Sequence, residues 1–258
     1  MPKLPNQTIV PAFQIKNIQR NIRESISRIS TGLNVIGGNK ASYQTMANTL
    51  KAHGKSFEVA AVNSREGIDL LILAETAVTE INNLATRLRE LSIESTTDTI
   101  TTNETAALSA ESISVSDTID SIVTSLTFND INILGTSSKT FNVAVDDEGN
   151  TSTIKTTDGI SATNVTVVPT VTTTADTTIS EVTASLGNIA GSLQSLMAYQ
   201  NIASTSAAQL LEAAANLEDT DFAAETAKLT KNSILNNYAL AMVAHGNQTE
   251  KDKLKLLA

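Results

Sequence analysis

Residues 60–96 read AAVNSREGIDLLILAETAVTEINNLATRLRELSIEST, and apolar side chains recur in this segment at intervals of three, four or seven positions. The stripe consists of Ile68, Leu71, Val78, Ile81, Leu84, Leu88 and Leu91. Such spacing places these side chains on one face of an α-helix. The pattern begins near Tyr43 and stops near Ser95, so the sequence predicts one helix over that range. At about 1.5 Å per residue this helix is about 80 Å long, and it needs long partners to cover its stripe.

A second apolar stripe lies nearer the N-terminus and has the spacing of a coiled-coil seam. It consists of Ile15, Ile18, Ile22, Ile26, Ile29 and Leu33. The dipeptide TG at 31–32 is a stop signal for this helix, and the Gly- and Asn-rich segment 36–42 separates it from the long helix. The sequence therefore predicts two successive amphipathic helices.

The second half of the sequence carries further helical patterns. One stripe consists of Val115, Ile119, Ile122 and Leu126, and the next of Val182, Leu186, Ile189, Leu193, Leu196, Leu210 and Leu217. A last, Ala-rich stretch from about Ala223 to Ala244 carries Leu229, Ile234, Tyr238 and Met242. These stripes are the long partners that the helix at 43–95 requires.

The segment 139–180 differs from the rest because it is rich in Thr and Val, which favour strands. Its stretch TFNVAV alternates as a strand does, and DDEGN at 146–150 is a turn signal. The stretch NVTVVPTVTTT at 164–174 has the β-branched composition of a strand, with Pro169 at an edge or bend. The alternative for the Thr run at 170–178 is a disordered loop. The predicted fold is mainly α, a long antiparallel helical rod or coiled coil formed by the N- and C-terminal segments, with a small β-hairpin insert at its tip.

Composition and charge narrow the class of protein. The chain has no Trp and only 3% aromatic residues, so its core must be aliphatic. Its net charge of −9 is unevenly spread: residues 1–65 hold nine Lys/Arg against two Asp/Glu, 66–225 hold four against twenty-three, and 226–258 hold five against two. The acidic middle and the lack of aromatics among the basic ends argue against nucleic acid as a partner. The longest apolar run, LLILA at 70–74, is too short for a membrane span, and the N-terminus lacks the pattern of a signal peptide.

Catalytic and metal-binding patterns are missing from the sequence. It has no Cys, and its two histidines, His53 and His245, belong to no catalytic or metal-ligand motif. The turn DDEGN lacks the acidic spacing of a calcium-binding loop. We therefore expect neither an enzyme nor a cofactor site.

Several segments together resemble bacterial flagellin, in the same order as in that family. They are ISRISTGLNV, the segment 60–96 quoted above, LTFNDINIL and NLEDTDFAAETAKLTKNSILNNYALAMVAHGNQ. The resemblance covers most of residues 15–134 and 186–257. It implies a structural subunit that polymerises into the bacterial flagellar filament for swimming motility, in a minimal form with a short central insert. One departure is Asp130, which stands where the family's FNG motif has Gly.

The resemblance also implies how the chain is divided. Residues 1–42 and 223–258 correspond to an inner-core coiled coil with its linker, 43–138 and 181–222 to a helical rod, and 139–180 to a small insert that belongs to the rod. Since the insert carries no residue of the helical stripes, we expect its deletion to leave a protein that polymerises. The predicted subunit interface consists of Ile15, Ile18, Ile22, Ile26, Ile29, Leu33, Arg87, Arg89, Glu90, Ile234, Tyr238, Leu254 and Leu257.

Partners and location follow from the same resemblance. The chain would be exported without a cleaved signal peptide into the extracellular flagellum, and would meet an export chaperone, the filament cap and the hook-junction proteins. Arg87, Leu91 and Glu111 match positions where the vertebrate innate receptor for flagellin binds. Surface Thr residues carry O-glycans in many flagellins, and the candidates are Thr170, Thr172, Thr173 and Thr174.

Two other functions fit parts of the pattern. A hook–filament junction protein shares the terminal segments more loosely, although LEDTDFAAE and RLREL favour the filament subunit. A non-flagellar coiled-coil scaffold or signalling rod also uses long antiparallel heptad helices. Such a rod needs neither basic ends nor this order of motifs.

Overall fold

The computed structural model describes residues 9–34, 41–161 and 171–256. Within these ranges the chain forms five helices and two small antiparallel sheets. The helices are α1 (Ile9–Thr31), α2 (Ala41–Glu94), α3 (Thr102–Ser125), α4 (Val171–Glu218) and α5 (Phe222–Leu256). The strands are β1 (Thr127–Phe128), β2 (Ile131–Asn132), β3 (Lys139–Ala144) and β4 (Thr151–Thr157). The prediction of a mainly helical fold with a small β element is confirmed.

The chain separates into two compact units. A terminal unit comprises Met1–Ala52 and Leu210–Ala258, and a central unit comprises His53–Gln209. Both boundaries fall inside helices, whereas the sequence placed them near the linkers at 42/43 and 222/223. The charge asymmetry follows this division, because the terminal unit holds twelve Lys/Arg against eight Asp/Glu and the central unit six against nineteen.

In the terminal unit, α1 packs against α5 in antiparallel orientation. Leu33, just after α1, forms an antiparallel bridge with Asp219, just before α5. The amide of Thr220 donates a hydrogen bond to the carbonyl of Gly32, at 2.9 Å. Gly32 has a φ of +73°, a left-handed conformation that glycine adopts without strain, so the predicted stop signal at 31–32 is confirmed. The chain leaving α1 is thus held to the chain that leads into α5.

The central unit has an aliphatic core, as the composition predicted. Helices α2, α3 and α4 each contribute fully buried side chains, spaced as in the predicted stripes. The largest of them are Leu71, Val78, Ile81, Leu88, Leu91, Val123, Ile189 and Leu196. Helix α4 approaches α2 closely at Gly67. A Cβ added at this position would lie 2.7 Å from a methyl carbon of Leu196. Packing of long helices around branched aliphatic residues therefore holds this unit together.

The hairpin β1–β2 follows α3 directly and caps its C-terminus. Its two turn residues, Asn129 and Asp130, both have positive φ, at 50° and 63°. This is the backbone of a two-residue hairpin loop that favours Asn followed by Gly, which explains why Gly is customary at the second position. The side chain of Asn132 donates to the carbonyls of Val123 and Thr124, at 3.3 and 2.8 Å. Two carbonyls at the C-terminus of α3 thereby find a donor.

The hairpin β3–β4 confirms the strand and the turn predicted at TFNVAV and DDEGN. The turn is closed by Asp146, whose carboxylate accepts hydrogen bonds from the amides of Glu148 and Asn150, at 3.1 and 2.7 Å. Gly149 takes a φ of +83° there. Hydrogen bonding to Asn150 is the main cause that lowers the pKa of Asp146 below its ordinary value.

The hairpin is not separate from the helical core. Ile154 and Ile160 are fully buried and Val145 is nearly so, in the same cluster as Leu71 and Ile81 of α2. The insert supplies core side chains even though its sequence has no helical spacing. The reason is that a short strand buries alternate residues against helices laid over it.

A polar row on α4 binds the segment from β4 to Ser161. It consists of Glu181, Ser185, Asn188 and Ser192, which share one side of the helix. Glu181 accepts from the amide and hydroxyl of Ser161, at 2.7 and 2.9 Å. Ser192 accepts from the amide of Lys155, at 3.2 Å. Backbone donors that would otherwise be unpaired are thus satisfied by helix side chains.

Helix α4 begins earlier than predicted. The stretch 164–174 was interpreted as a strand, but 171–174 form the first turn of α4 and only 164–170 lie outside the described residues. The hydroxyls of Thr177 and Thr178 donate to the carbonyls of Thr173 and Thr174, at 2.8 and 3.1 Å, within the helix. Tertiary packing has overridden the β propensity of this Thr-rich segment, since Ala175 and Thr178 are buried.

Candidate assembly interface

Helix α1 turns a heptad seam toward α5, with one change from the prediction. Ile15, Ile18, Ile22 and Ile29 are half-buried. The position between the last two is filled by Ser25, which is 3% exposed, whereas Ile26 is 52% exposed. The prediction that Ile26 lies in the seam is therefore wrong, because the step from Ile22 is three residues and not four. Leu33 lies beyond the helix and is 39% exposed.

Helix α5 covers a side of mixed polarity and leaves several large apolar side chains open. The residues of α5 that are least exposed recur every three or four positions, and they are Glu225, Leu229, Asn232, Asn236, Ala239 and Val243. Large apolar residues stay exposed on the other sides of the helix, and we give the name open face of α5 to four of them: Ile234, Leu235, Tyr238 and Met242. Tyr238 is 70% exposed, Ile234 63% and Leu235 43%. Chemically, this face can only be stabilised by covering it with other apolar surface.

The open face of α5 borders a shallow groove of about 640 Å³. The described residues that line it all belong to α5, and they are Ala223, Thr226, Ala227, Thr230, Lys231, Ile234 and Leu235.

Beneath this face, a buried carboxylate joins the two terminal helices. Glu225, in the first turn of α5, accepts a hydrogen bond from the Ser25 hydroxyl at 2.7 Å. Arg28 Nη1 lies 3.4 Å from the same oxygen, and Lys228 Nζ lies 3.2 Å from the other. Burial alone would raise the pKa of this carboxyl, but the hydrogen bonds and the nearby cations outweigh it and hold the pKa below its ordinary value. Neither Ser25 nor Glu225 was among the predicted site residues. The available signal for a polar contact in the seam was a serine at a heptad position.

The charged residues of the segment 84–96 form a network on the surface of the central unit. Arg87 donates to Glu111 of α3 at 2.8 and 3.1 Å and to Glu90 at 3.2 Å, and Arg89 donates to Asp176 of α4 at 2.7 Å. These side chains are about half exposed. The hydrogen bond with Glu111 is the main cause that raises the pKa of Arg87 above its ordinary value. The network links α2 to both neighbouring helices and leaves its outer side open.

The other predicted site residues are placed as follows. Among the three residues predicted to contact a receptor, Leu91 is fully buried, whereas Arg87 and Glu111 are accessible. Thr172 shares a hydrogen bond with Ser92, whereas Thr173 is exposed. Leu254 lies on α5. Thr170 and Leu257 lie outside the described residues.

Metal and membrane sites are absent from the parts of the chain that the structure describes. Across 9–34, 41–161 and 171–256, the His, Asp and Glu side chains form no group of three that could hold a metal ion. None of the helices in those ranges is long and apolar enough to span a bilayer.

Comparison with known proteins identifies the class. The model of the bacterial flagellin N-terminal helical region matches residues 10–139, and that of the C-terminal helical region matches residues 170–257. Together they take in both terminal helices and the three helices of the central unit. The chain therefore belongs to the flagellin family.

Individual relatives agree with the family models. Flagellin of Escherichia coli K12 is 31% identical over 138 residues, which are 52% of this chain and 28% of that protein. The chain thus spans about a quarter of that relative's length. Flagellin of Halalkalibacterium halodurans is 27% identical over 248 residues, and 91% of each chain is covered. A solved structure, that of Bacillus cereus flagellin, is 22% identical and covers 58% of this chain and 88% of its own, with a TM-score of 0.39.

Proposed function

We propose that this chain is a structural subunit that polymerises into a flagellar filament, and that copies join through the open face of α5. The observation that carries the proposal is the set of large apolar side chains that α5 leaves uncovered. Its seam against α1 contains Glu225, Asn232 and Asn236, while Ile234 and Tyr238 point elsewhere and stay exposed. A helix that is apolar on a side its own chain leaves open requires a partner there.

The exposed apolar surface of this face favours self-association. Full burial of one large apolar side chain is worth about 1.5–3 kcal/mol. Two such residues, Ile234 and Tyr238, would contribute about 3–6 kcal/mol for each subunit before ordering costs. Because every copy both offers and receives contacts, this contribution repeats along a helical polymer.

A second candidate contact is the charged network of the central unit. Arg87, Arg89 and Glu90 project from the exposed side of α2 and are held in place by Glu111 and Asp176. Fixed charges of this kind favour one alignment of two copies over others, and they contribute more to specificity than to affinity. We propose that a neighbouring subunit covers this network in the filament.

Other partners follow from the same surfaces. Before assembly the open face of α5 has to be kept from non-specific contacts, which suits an export chaperone that binds an apolar helix. The filament cap and the hook-junction proteins would meet subunits at the two ends of the polymer. Export to the extracellular flagellum without a cleaved signal peptide is part of the same proposal. Recognition by the innate receptor would have to use Arg87 and Glu111, because Leu91 is buried.

The test is polymerisation of the purified chain after seeding, followed by negative-stain microscopy. Tubes of uniform diameter are expected from a filament subunit, whereas a scaffold or signalling rod would form none. A hook–filament junction protein would form short assemblies or single rings. Failure of seeded, folded protein to form tubes under any condition that polymerises other flagellins would refute the proposal.

A pair of matched variants tests the surface itself. In Ile234→Asp with Tyr238→Asp, two charges stand on the open face, and we expect the critical concentration for polymerisation to rise more than tenfold. The control is Ser233→Asp, which adds a charge at an exposed position about 100° around the helix from Ile234. It should change the critical concentration less than threefold. Equal effects from the two variants would show that the open face is not the contact surface.

A further inference from the structure

The seam between α1 and α5 poses a problem of alignment. On α1 the seam repeats isoleucine at Ile15, Ile18, Ile22 and Ile29, so most of its positions are alike. Two helices whose seams repeat every seven residues can slide by one heptad and still meet apolar side to apolar side. Something other than aliphatic packing must therefore select one alignment.

Polar groups distinguish one position of this seam from the others. Ser25 is the polar residue in the isoleucine series of α1, and it contacts Glu225, whose side chain is 4% exposed. Arg28, three residues further along α1, lies within 3.4 Å of the same carboxylate oxygen. Lys228 of α5 binds the other oxygen at 3.2 Å, so both oxygens have a partner. Ser25, Arg28 and Lys228 thus converge on one buried carboxylate from two helices.

A shift by one heptad would break this arrangement. Glu225 would then face Ile18 in one direction, or the end of the helix at Gly32 in the other. In the first case a buried carboxylate meets an aliphatic side chain and loses the Ser25 hydroxyl and the Arg28 guanidinium. An unpaired buried charge is among the most unfavourable contacts in proteins. Only the observed register satisfies the carboxylate from both helices.

A buried ion cluster of this kind contributes little to net stability compared with an apolar replacement. Its best-established use in helical pairs is to specify register. The backbone bridge between Leu33 and Asp219 cannot do this alone, because hydrogen bonds between main chains do not depend on side-chain identity. The side-chain cluster is therefore the element that can discriminate between registers.

We propose that Glu225 is a positioning residue for self-association: through Ser25 and Arg28 it fixes the register of α1 against α5. The register in turn fixes where the open face of α5 stands relative to Ile26 and the rest of α1. A second copy of the chain then contacts one defined surface, whereas a mixture of registers would present several different surfaces. This inference rests on the proposed function, although the register itself can be measured whether or not filaments form.

The chain lacks Cys, so engineered cysteine pairs report the register without background. Ile22 and Leu229 are the seam positions next to Ser25 on α1 and next to Glu225 on α5. A disulfide between Ile22→Cys and Leu229→Cys therefore reports the native register. Ile15→Cys with Leu229→Cys reports a register shifted by one heptad. Each pair is placed in the full-length chain with Glu225 intact, with Glu225→Leu and with Glu225→Gln. Disulfide yield is measured separately in the pelleted and soluble fractions.

With Glu225 intact, the native pair should cross-link at least tenfold more than the shifted pair. Glu225→Leu should raise the shifted yield to within about threefold of the native yield, with helical content unchanged, because a leucine fits either register. Glu225→Gln keeps an acceptor for Ser25. Its ratio of shifted to native yield should therefore lie between that of the intact chain and that of Glu225→Leu. The matched control is Glu24→Gln, which removes a more exposed carboxylate 4.0 Å from Arg28 and should leave the ratio as it was.

The outcomes separate this inference from the proposed function. If the native pair alone cross-links in Glu225→Leu, register does not depend on Glu225 and the inference is overturned. If neither pair cross-links with Glu225 intact, the pairing of α1 with α5 is itself wrong, and the inference fails with it. If the ratio changes as expected in a chain that never forms filaments, the register assignment stands, and the proposed function falls together with the role of Glu225 in self-association.

Discussion

The hairpin β3–β4 allows a direct test of whether the insert belongs to the core. Ile154 of β4 is fully buried in the same cluster as Leu71 and Ile81. Ile→Ala in a closed core costs about 2–5 kcal/mol, the larger values where the surroundings cannot relax. A groove of about 400 Å³ already adjoins Ile154, so part of the space left by truncation opens to solvent. We therefore expect Ile154→Ala to lower the free energy of unfolding by about 2–3 kcal/mol.

Two further truncations make the comparison quantitative. Ile160 is also fully buried and does not line that groove, so Ile160→Ala should cost more, about 3–5 kcal/mol. Ile131 belongs to the neighbouring hairpin and is 56% exposed, so Ile131→Ala should cost less than about 1 kcal/mol. All three remove the same atoms from the same residue type. The order Ile160, Ile154, Ile131 is thus a prediction from burial and from the groove beside Ile154.

The measurement is urea unfolding of the full chain, followed by far-ultraviolet circular dichroism. A lower midpoint with an unchanged slope reports lost stability of the folded state. If Ile154→Ala costs no more than Ile131→Ala, the hairpin does not pack into the helical core and the reasoning fails. In that event, deletion of 139–180 would be tolerated, as the sequence alone suggested. On the structure we expect that deletion to unfold the central unit, since it removes Val145, Ile154 and Ile160 together.

Three smaller predictions concern a turn, a cap and a carboxylate. Asp130 has a φ of +63°, so Asp130→Gly should be about 1 kcal/mol more stable than Asp130→Ala in the same unfolding assay; equal stabilities would contradict the turn geometry. Thr101 and Glu104 form a reciprocal capping box at the start of α3, so Thr101→Ala should cost about 1 kcal/mol, and no loss of stability would count against the cap. The pKa of Glu225 is lowered on folding, so its contribution is present above the unfolded pKa, about 4.3, and is lost as the pH falls below it. The stability difference between the native chain and Glu225→Gln should therefore shrink from pH 7 to about pH 3, and a constant difference would refute the assignment.

Helices were predictable where apolar spacing was regular. The long helix was expected from Tyr43 to Ser95 and runs over Ala41–Glu94, because its stripe is continuous and its ends carry turn residues. The first turn of α4 was mistaken for a strand because Thr and Val favour strands locally. What decides that segment is burial of Ala175 and Thr178 against other helices, which no local pattern reveals.

The core residues of the insert were not predicted, for a related reason. A strand that packs under helices shows only a short alternation, and Ile154 stands in a stretch, TSTIKTT, that is otherwise polar. The row Glu181, Ser185, Asn188 and Ser192 has the spacing of a helical stripe but polar composition, so apolar periodicity does not single it out. Its partners include backbone amides, which leave no trace in a sequence.

The exposed surface of α5 could be predicted only in part, and the missing part is informative. Ile234 and Tyr238 were assigned to a contact between subunits, but nothing in the sequence said which side of α5 its own chain would cover. Large apolar residues occur on several sides of this helix, so burial alone would have turned Ile234 or Tyr238 toward α1. The contact of Ser25 with Glu225 selects the other side. The terminal unit thereby leaves apolar surface uncovered within one chain, and a second copy can gain by covering it.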